Sequence, residues 1–317
     1  TLHTFDAHAE ATLRRNLAEN GATLAENAAP NAFAVSTTLD IRALDCDDVA
    51  FWQLSKGDGT AERDLFVLEQ LLCDPAPPRR RLIVAADALN PTFLARFRKA
   101  CDKITLRREG PVTLLMGTVA RPLTSGALPN HRAEFSVSLK GHAPITLATW
   151  PGCFCHRRAD MGGLALAEVV AEQVAFDPGD RVMDLGCGCG MVGILLATAF
   201  PEKRLRVDYQ DSDASARDSV GENLRLHPHE ARVLFSAEGL GDAGAYDLLL
   251  ANPPYFGDWR IAEAFVRTAA RLLRRGGLIA FVCKRPSKPQ ELLEANGFAL
   301  LNVFPRRGYS VLLAARG

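Results

Sequence analysis

The run Arg181-Val182-Met183-Asp184-Leu185-Gly186-Cys187-Gly188-Cys189-Gly190-Met191-Val192, continued by the apolar Gly193 to Ala199, decides the fold. An apolar pentamer, a turn with glycine at every second position and an apolar stretch of helical length form the strand, loop and helix that open a parallel α/β sheet. Glycine is needed in such a turn because the chain adopts dihedrals that other residues resist. It also lets the backbone approach a ligand with no Cβ in between. The spacing is GxGxG, with Met191 where a dinucleotide-binding loop would place its later glycine. Asp184 opens the loop with a negative charge that repels a pyrophosphate and suits the amino group of a methionine moiety.

On either side of this run the second half of the chain alternates short apolar stretches with amphipathic ones, the rhythm of a sheet covered by helices on both faces. Strands are predicted over 181–185, 204–210, 231–235, 246–251 and 277–283, and helices over 192–199, 213–225, 261–274 and 288–296. Two further β runs, 299–304 and 310–314, flank the basic turn Pro305 to Gly308 and read as a closing antiparallel hairpin. Asp211, 21 residues beyond Gly190 at the end of the second strand, stands where an acidic side chain meets the ribose hydroxyls of a nucleoside cofactor. A glycine turn alone is weak, and Asp213 reads equally well as a helix N-cap. Strand, loop, helix and acidic strand end together point to S-adenosylmethionine, with Gly186, Gly188 and Gly190 approaching it and Asp211 holding its ribose.

Asn252-Pro253-Pro254-Tyr255 follows the apolar strand 246–251, at the sheet edge where open α/β folds bind ligands. Two prolines stiffen the turn, so the Pro253 carbonyl and the Asn252 side-chain oxygen are both available as acceptors. A planar NH2 held between them keeps its nitrogen lone pair on the methyl of a sulfonium, and transfer is an in-line displacement driven by positioning. Tyr255 and Phe256 offer stacking surface, or pack as core aromatics. Asn-Pro by itself is a common turn opener; its place one strand region downstream of the donor loop gives it catalytic meaning.

The first half gives a helix over 61–72, a strand over 81–86, a helix over 91–101 and a strand over 112–119. It has no glycine-rich loop after either of these strands and no Asn-Pro-Pro turn, so it reads as an α/β sheet without a nucleotide site. A turn-rich seam at 122–131 and a β-like stretch over 133–148 lead into the second half, giving domains 1–145 and 146–317. The 37 basic residues balance 37 acidic ones, so no global field advertises nucleic acid. No apolar run approaches the roughly 20 residues that span a bilayer, and a soluble, cytoplasmic, monomeric protein is expected. The eight cysteines are too sparse for a disulfide scaffold. Cys153, Cys155 and His156 lie close together without a second spaced pair, and no metal site is expected.

These motifs, Asp184 to Gly190, Asp211 to Ala214, Asn223 and Tyr246 to Tyr255, resemble the "methyltransferase small" domain of class I S-adenosylmethionine-dependent methyltransferases. Pro151-Gly-Cys-Phe154 followed by Asp160-Met-Gly162 is similar to the segment preceding the first motif in ribosomal RNA guanine-N2 methyltransferases, those of type C acting on small-subunit RNA and those of type G acting on large-subunit RNA. The resemblance implies two tandem Rossmann-like methyltransferase domains, a degenerate N-terminal copy and a catalytic C-terminal one with a seven-stranded, mostly parallel sheet. It implies that Phe154 and Gly162 wall the methionine end of the cofactor, and that Asn252, Pro253, Pro254 and Tyr255 present a guanine amino group. Phe256 stands where that family carries histidine.

Local charge fits ribosomal RNA or a ribosomal particle as partner: from Tyr255 to Gly317 there are 11 Lys and Arg against 4 Asp and Glu. Arg274-Arg275, Lys284-Arg285-Lys288 and Arg306-Arg307 are the expected phosphate contacts, with Arg157-Arg158 near the site and Arg79-Arg80-Arg81 in the first domain. The leading expectation is N2 methylation of guanine in ribosomal RNA. The alternatives are methylation of a protein glutamine amide, methylation of adenine N6 in nucleic acid, and a non-enzymatic RNA-binding or assembly protein retaining the fold.

Overall fold

The structure is a computed structural model that describes residues 2–3, 11, 14–15, 35–36, 48–53, 60–73, 80–86, 88–123, 130–236, 239–254 and 259–317. The chain divides into two compact units, one of residues 1–133 and 150–152, the other of residues 134–149 and 153–317. A short parallel pair, Leu2–His3 with Val35–Ser36, lies in the first.

The first unit's main sheet has four strands: β1 (Asp48–Gln53), β2 (Arg81–Ala86), β3 (Cys101–Glu109) and β4 (Val112–Val119), in the order β1-β2-β4-β3. Alternation along β2 buries Leu82, Val84 and Ala86, and these meet helices α1 (Thr60–Leu72) and α2 (Pro91–Ala100). Leu68, Leu71, Leu72, Phe93 and Phe97 complete this core. The helix expected to reach residue 101 stops at Ala100, and Cys101 opens β3 in extended geometry. Nearly all of β3 is exposed, so it carries little apolar signal, and it forms because its backbone completes the ladder with β4.

The second unit opens with a two-stranded ladder, β5 (Ala133–Val137) with β6 (Ile145–Thr149), in place of the single β-like stretch that the sequence suggests. Then follow α3 (Met161–Gln173), β7 (Arg181–Leu185), α4 (Met191–Ala199), β8 (Arg206–Asp211), α5 (Ala214–Leu226), β9 (Ala231–Phe235) and β10 (Tyr246–Ala251). The chain continues through α6 (Arg260–Leu272), β11 (Leu273–Cys283), α7 (Ser287–Ala295), β12 (Phe298–Arg306) and β13 (Tyr309–Arg316). The sheet order is β9-β8-β7-β10-β11-β13-β12, parallel except where β13 joins β11 and β12 antiparallel.

Alternate residues of the central strands feed two cores. Val182, Leu248, Leu250, Ala280 and Val282 face α3, α4 and α5, while Met183, Leu249, Ala251, Ile279 and Phe281 face α6 and α7. The helix expected over 261–274 ends at Leu272, and Leu273 already pairs with Tyr246 before a bulge shifts the register to Leu248–Leu278. Gly276 takes up that irregularity at φ 74°, in the left-handed region.

Candidate active site

The register sets three strand ends abreast. Leu185 of β7 pairs with Gln210 of β8 on one side and with Ala251 of β10 on the other, so Gly186, Asp211 and Asn252 follow side by side at the carboxyl edge. The chain leaves β7 outward to β8 and β9, then returns to β10 on the opposite side. That reversal opens a crevice between the loops after β7 and β10, where ligands bind in open α/β sheets.

Gly186, Gly188 and Gly190 have φ values of 68°, 55° and 79°. A Cβ on Gly186 would stand 2.8 Å from the Phe265 ring and one on Gly190 2.6 Å from Val220, so these two glycines also serve packing. Over Gly188 nothing lies within 4 Å of that point, which leaves room for a guest. The loop's N–H groups are largely engaged within the fold. Gly186 and Cys187 donate to the Gln210 carbonyl at 2.8 and 3.0 Å, Gly188 to Asp211 Oδ2 at 2.9 Å, and Gly190 to the Cys187 carbonyl at 2.9 Å. A loop so committed has few donors for a phosphate, in line with its GxGxG spacing. Asn223, fully buried, fastens it from behind: its Nδ2 donates to the carbonyls of Ala148 and Cys189 at 2.9 and 3.0 Å, and its Oδ1 accepts from Ala148 N at 2.7 Å.

Two acids flank the loop. Asp184 is buried, with Oδ2 accepting from Gly193 N at 3.1 Å in the first turn of α4, where the helix dipole favours an anion. Burial nevertheless pushes its carboxyl up to about 7. Its side chain is thus turned toward the helix. Asp211 accepts from Gly188 N through Oδ2 and from Asp213 N through Oδ1, each at 2.9 Å, and burial raises it to about 6. Backbone N–H groups of Asp213, Gly188 and Ser212 favour its charged form without offsetting that burial.

On the β10 side, Asn252 is half-buried, Pro253 buried and Pro254 exposed. Tyr255 and Phe256 fall outside the described residues. Asn252 Nδ2 donates to Asp160 Oδ2 at 2.5 Å, which turns its Oδ1 the other way. Gly162 adjoins both: a Cβ there would stand 3.4 Å from Asn252 Oδ1 and 3.2 Å from Tyr309 Cε1. Lys284 Nζ sits 3.8 Å above the centre of the Tyr309 ring. The sequence reading places Gly162 near the cofactor but gives no role to Asp160 or Tyr309. Asp160 carries a readable signal, an acid at the N-cap of α3. Tyr309 carries none, because the hairpin alone brings it here.

Phe154 is 56 % exposed, on a turn where Cys155 and Arg157 have positive φ of 54° and 74°. Several arginines expected to meet phosphate prove to be engaged within the protein. Arg306 forks onto Glu172 at 2.5 and 2.9 Å, and Arg307 onto Glu168 at 2.6 and 3.0 Å. Arg274 bonds Asp247 at 2.5 Å and Lys288 bonds Glu291 at 2.9 Å. Arg275, Lys284 and Arg285 pair with no acid among the described residues; Arg79 lies outside them. Cys153, Cys155, Cys187 and Cys189 are free thiols. No group of three or more His, Cys, Asp or Glu is placed to hold a metal ion among the described residues, and no helix there is long and apolar enough to cross a membrane.

Residues 144–312 match the methyltransferase small domain family. The ribosomal RNA small subunit methyltransferase C of Pseudomonas entomophila is 30 % identical over 214 residues, 65 % of this chain and 60 % of that protein. The Hahella chejuensis protein of the same name is 28 % identical over 177 residues, 54 % of this chain and 50 % of that one. The chain thus spans 50–60 % of the length of these two curated relatives. Among solved structures, the T. thermophilus 16S rRNA N2 G1207 methyltransferase in complex with AdoMet and guanosine superposes with a TM-score of 0.76 at 24 % identity, over 96 % of this chain and 80 % of that one. At that identity the likeness speaks for the fold.

Proposed function

Because the chain belongs to the methyltransferase small domain family, we propose that it is an S-adenosylmethionine-dependent N-methyltransferase that modifies the exocyclic N2 of a guanine in ribosomal RNA. The observation that carries this reading is the juxtaposition, across one crevice, of a glycine loop with open space over Gly188 and an Asn252-Pro253 turn whose Asn252 amide oxygen faces away from Asp160. The relatives named as ribosomal RNA methyltransferases support the choice of RNA.

In this reading Gly186, Gly188 and Gly190 let the donor approach the backbone, Asp211 accepts from its ribose hydroxyls, and Phe154 and Gly162 wall its methionine end. Asp184 acts through its field, since its carboxylate is held against Gly193. The donor supplies an electrophilic methyl on a sulfonium. The chain's own residues supply position: Asn252 Oδ1 and the Pro253 carbonyl accept from the two N–H groups of the amine and aim its lone pair. The methyl would pass in line from the donor sulfur, leaving a neutral thioether, to the nitrogen these acceptors hold, and the spare proton would then pass to solvent. Tyr255 and the Tyr309–Lys284 pair offer aromatic and cationic surface for a base and its phosphate. The first unit, in which no counterpart of the loop stands among the described residues, is in this reading a degenerate copy with a structural or RNA-binding role.

A cationic donor next to Asp184 and Asp211 lowers carboxyls that burial has raised to about 7 and about 6. Donor binding near pH 6.5 therefore releases protons, seen as a buffer-dependent calorimetric heat; a heat independent of buffer would contradict this. The function itself is tested by incubating the full chain with methyl-labelled S-adenosylmethionine and, separately, ribosomal subunits, free ribosomal RNA, release factor and DNA. Label at a guanine N2 of ribosomal RNA is expected. Label in protein or DNA would overturn the substrate assignment.

A further inference from the structure

Three donors converge on Asp160, a residue with no place in either core. Gly162 N donates to its Oδ1 at 3.2 Å, Gly163 N to its Oδ2 at 2.7 Å, and Asn252 Nδ2 to the same Oδ2 at 2.5 Å. The first two bonds are an ordinary N-cap of α3. The third reaches 92 positions along the chain to the acceptor side of the crevice.

An asparagine amide has two ends of nearly equal shape, one accepting and one donating. An ionised carboxylate only accepts, so the end of Asn252 facing Asp160 is the NH2 and the end facing away is the oxygen. The reverse orientation would set oxygen against oxygen at Asp160 and present an N–H to an incoming amine that itself donates. We propose that Asp160 is the positioning residue that locks the Asn252 amide with its oxygen toward the acceptor, making the site selective for a nitrogen that donates N–H and against one that offers only a lone pair. This deepens the function proposed above and rests on it.

Residue choice follows from the two duties. Serine, threonine and asparagine also cap helices, but the first two are shorter and the third brings a second ambiguous amide. Aspartate alone caps the helix and dictates the orientation of its neighbour. Gly162 complements it: the Cβ position lies 3.4 Å from Asn252 Oδ1, so the missing side chain keeps the face of that oxygen clear.

Asp160→Ser keeps a capping oxygen for α3 and withdraws the contact to Asn252. The Asn252 side-chain NH2 signals, identified by their loss in Asn252→Ala, report the bond in 15N-resolved NMR of the full chain with no acceptor present. In the unaltered protein one NH2 proton is expected downfield and slow to exchange, and in Asp160→Ser both move to free-amide positions. With S-adenosylmethionine and ribosomal RNA, kcat falls by about 10- to 100-fold while KM for the donor changes less than about threefold, the signature of a misaimed group. The swap Asp160→Asn with Asn252→Asp restores one donor facing one acceptor, and it should outperform Asn252→Asp alone, which sets two carboxylates together. NH2 signals unmoved by Asp160→Ser, or a swap no better than that single variant, would overturn the lock. Ribosomal RNA left unlabelled by the unaltered protein would instead overturn the substrate reading, and the NMR signals would still decide the lock.

Discussion

Two helices that follow strands, α2 in the first unit and α4 in the second, meet the same difficulty in opposite ways. Each starts with N–H groups that lack partners within the helix. At α2 the chain closes the end itself: Asn90 Oδ1 accepts from Thr92 N and Phe93 N at 2.9 and 3.3 Å, and Pro91 needs no partner. At α4 the cap is Gly190, which has no side chain to offer, and the acceptor for Gly193 N is withdrawn to Asp184 inside β7. The first junction is sealed. The second keeps open space over Gly188. The junction before α4 gives up its capping side chain and moves the acceptor back into the strand, whereas the junction before α2 keeps its cap local.

Substitutions at the two junctions test that contrast. The largest loss is expected from Asn223→Leu, which leaves two carbonyls and one N–H buried without partners behind the loop. About 3 kcal/mol of stability should go, read from denaturant unfolding; a loss under about 1 kcal/mol would show that the loop stands without its clamp. Gly188→Ala meets no atom within 4 Å but forces a side chain to φ 55°. It should cost about 1–2 kcal/mol and, by filling the space kept for the donor, weaken donor binding in calorimetry. Unchanged affinity would mean that the space has another use. Asn90→Ala should cost about 1 kcal/mol and leave donor affinity untouched, since that junction serves only the fold.

Much of the second unit could be read from the chain because its strands are apolar throughout and its turns are marked by glycine and proline. The strands 181–185, 231–235 and 246–251 stand where the sequence put them. Helix α3 escapes a sequence reading for the same physical reason that it is well packed: Leu164 to Val170 are buried on every side, so no amphipathic period is written in them. β3 escapes for the opposite reason, since its exposed residues record no face. Around the proposed site, the glycines, Asp211 and Asn252 stand out in the sequence by residue type and spacing. Asp160 is legible only as a helix cap and Tyr309 not at all, because Asn252, Gly162 and the terminal hairpin meet only in the fold. The Arg306–Glu172 and Arg307–Glu168 pairs are hidden likewise, and a basic run that suggested phosphate is bonded to α3.

The proposed function divides the labour between the loop after β7, assigned to the donor, and the Asn252-Pro253 turn, assigned to the amine. Donor affinity and turnover of Asn252→Ala, measured side by side, test it most directly. The expected result is a dissociation constant for S-adenosylmethionine within about threefold of the parent protein and turnover lower by about 100-fold or more. Turnover equal to the parent's at unchanged affinity would contradict the account.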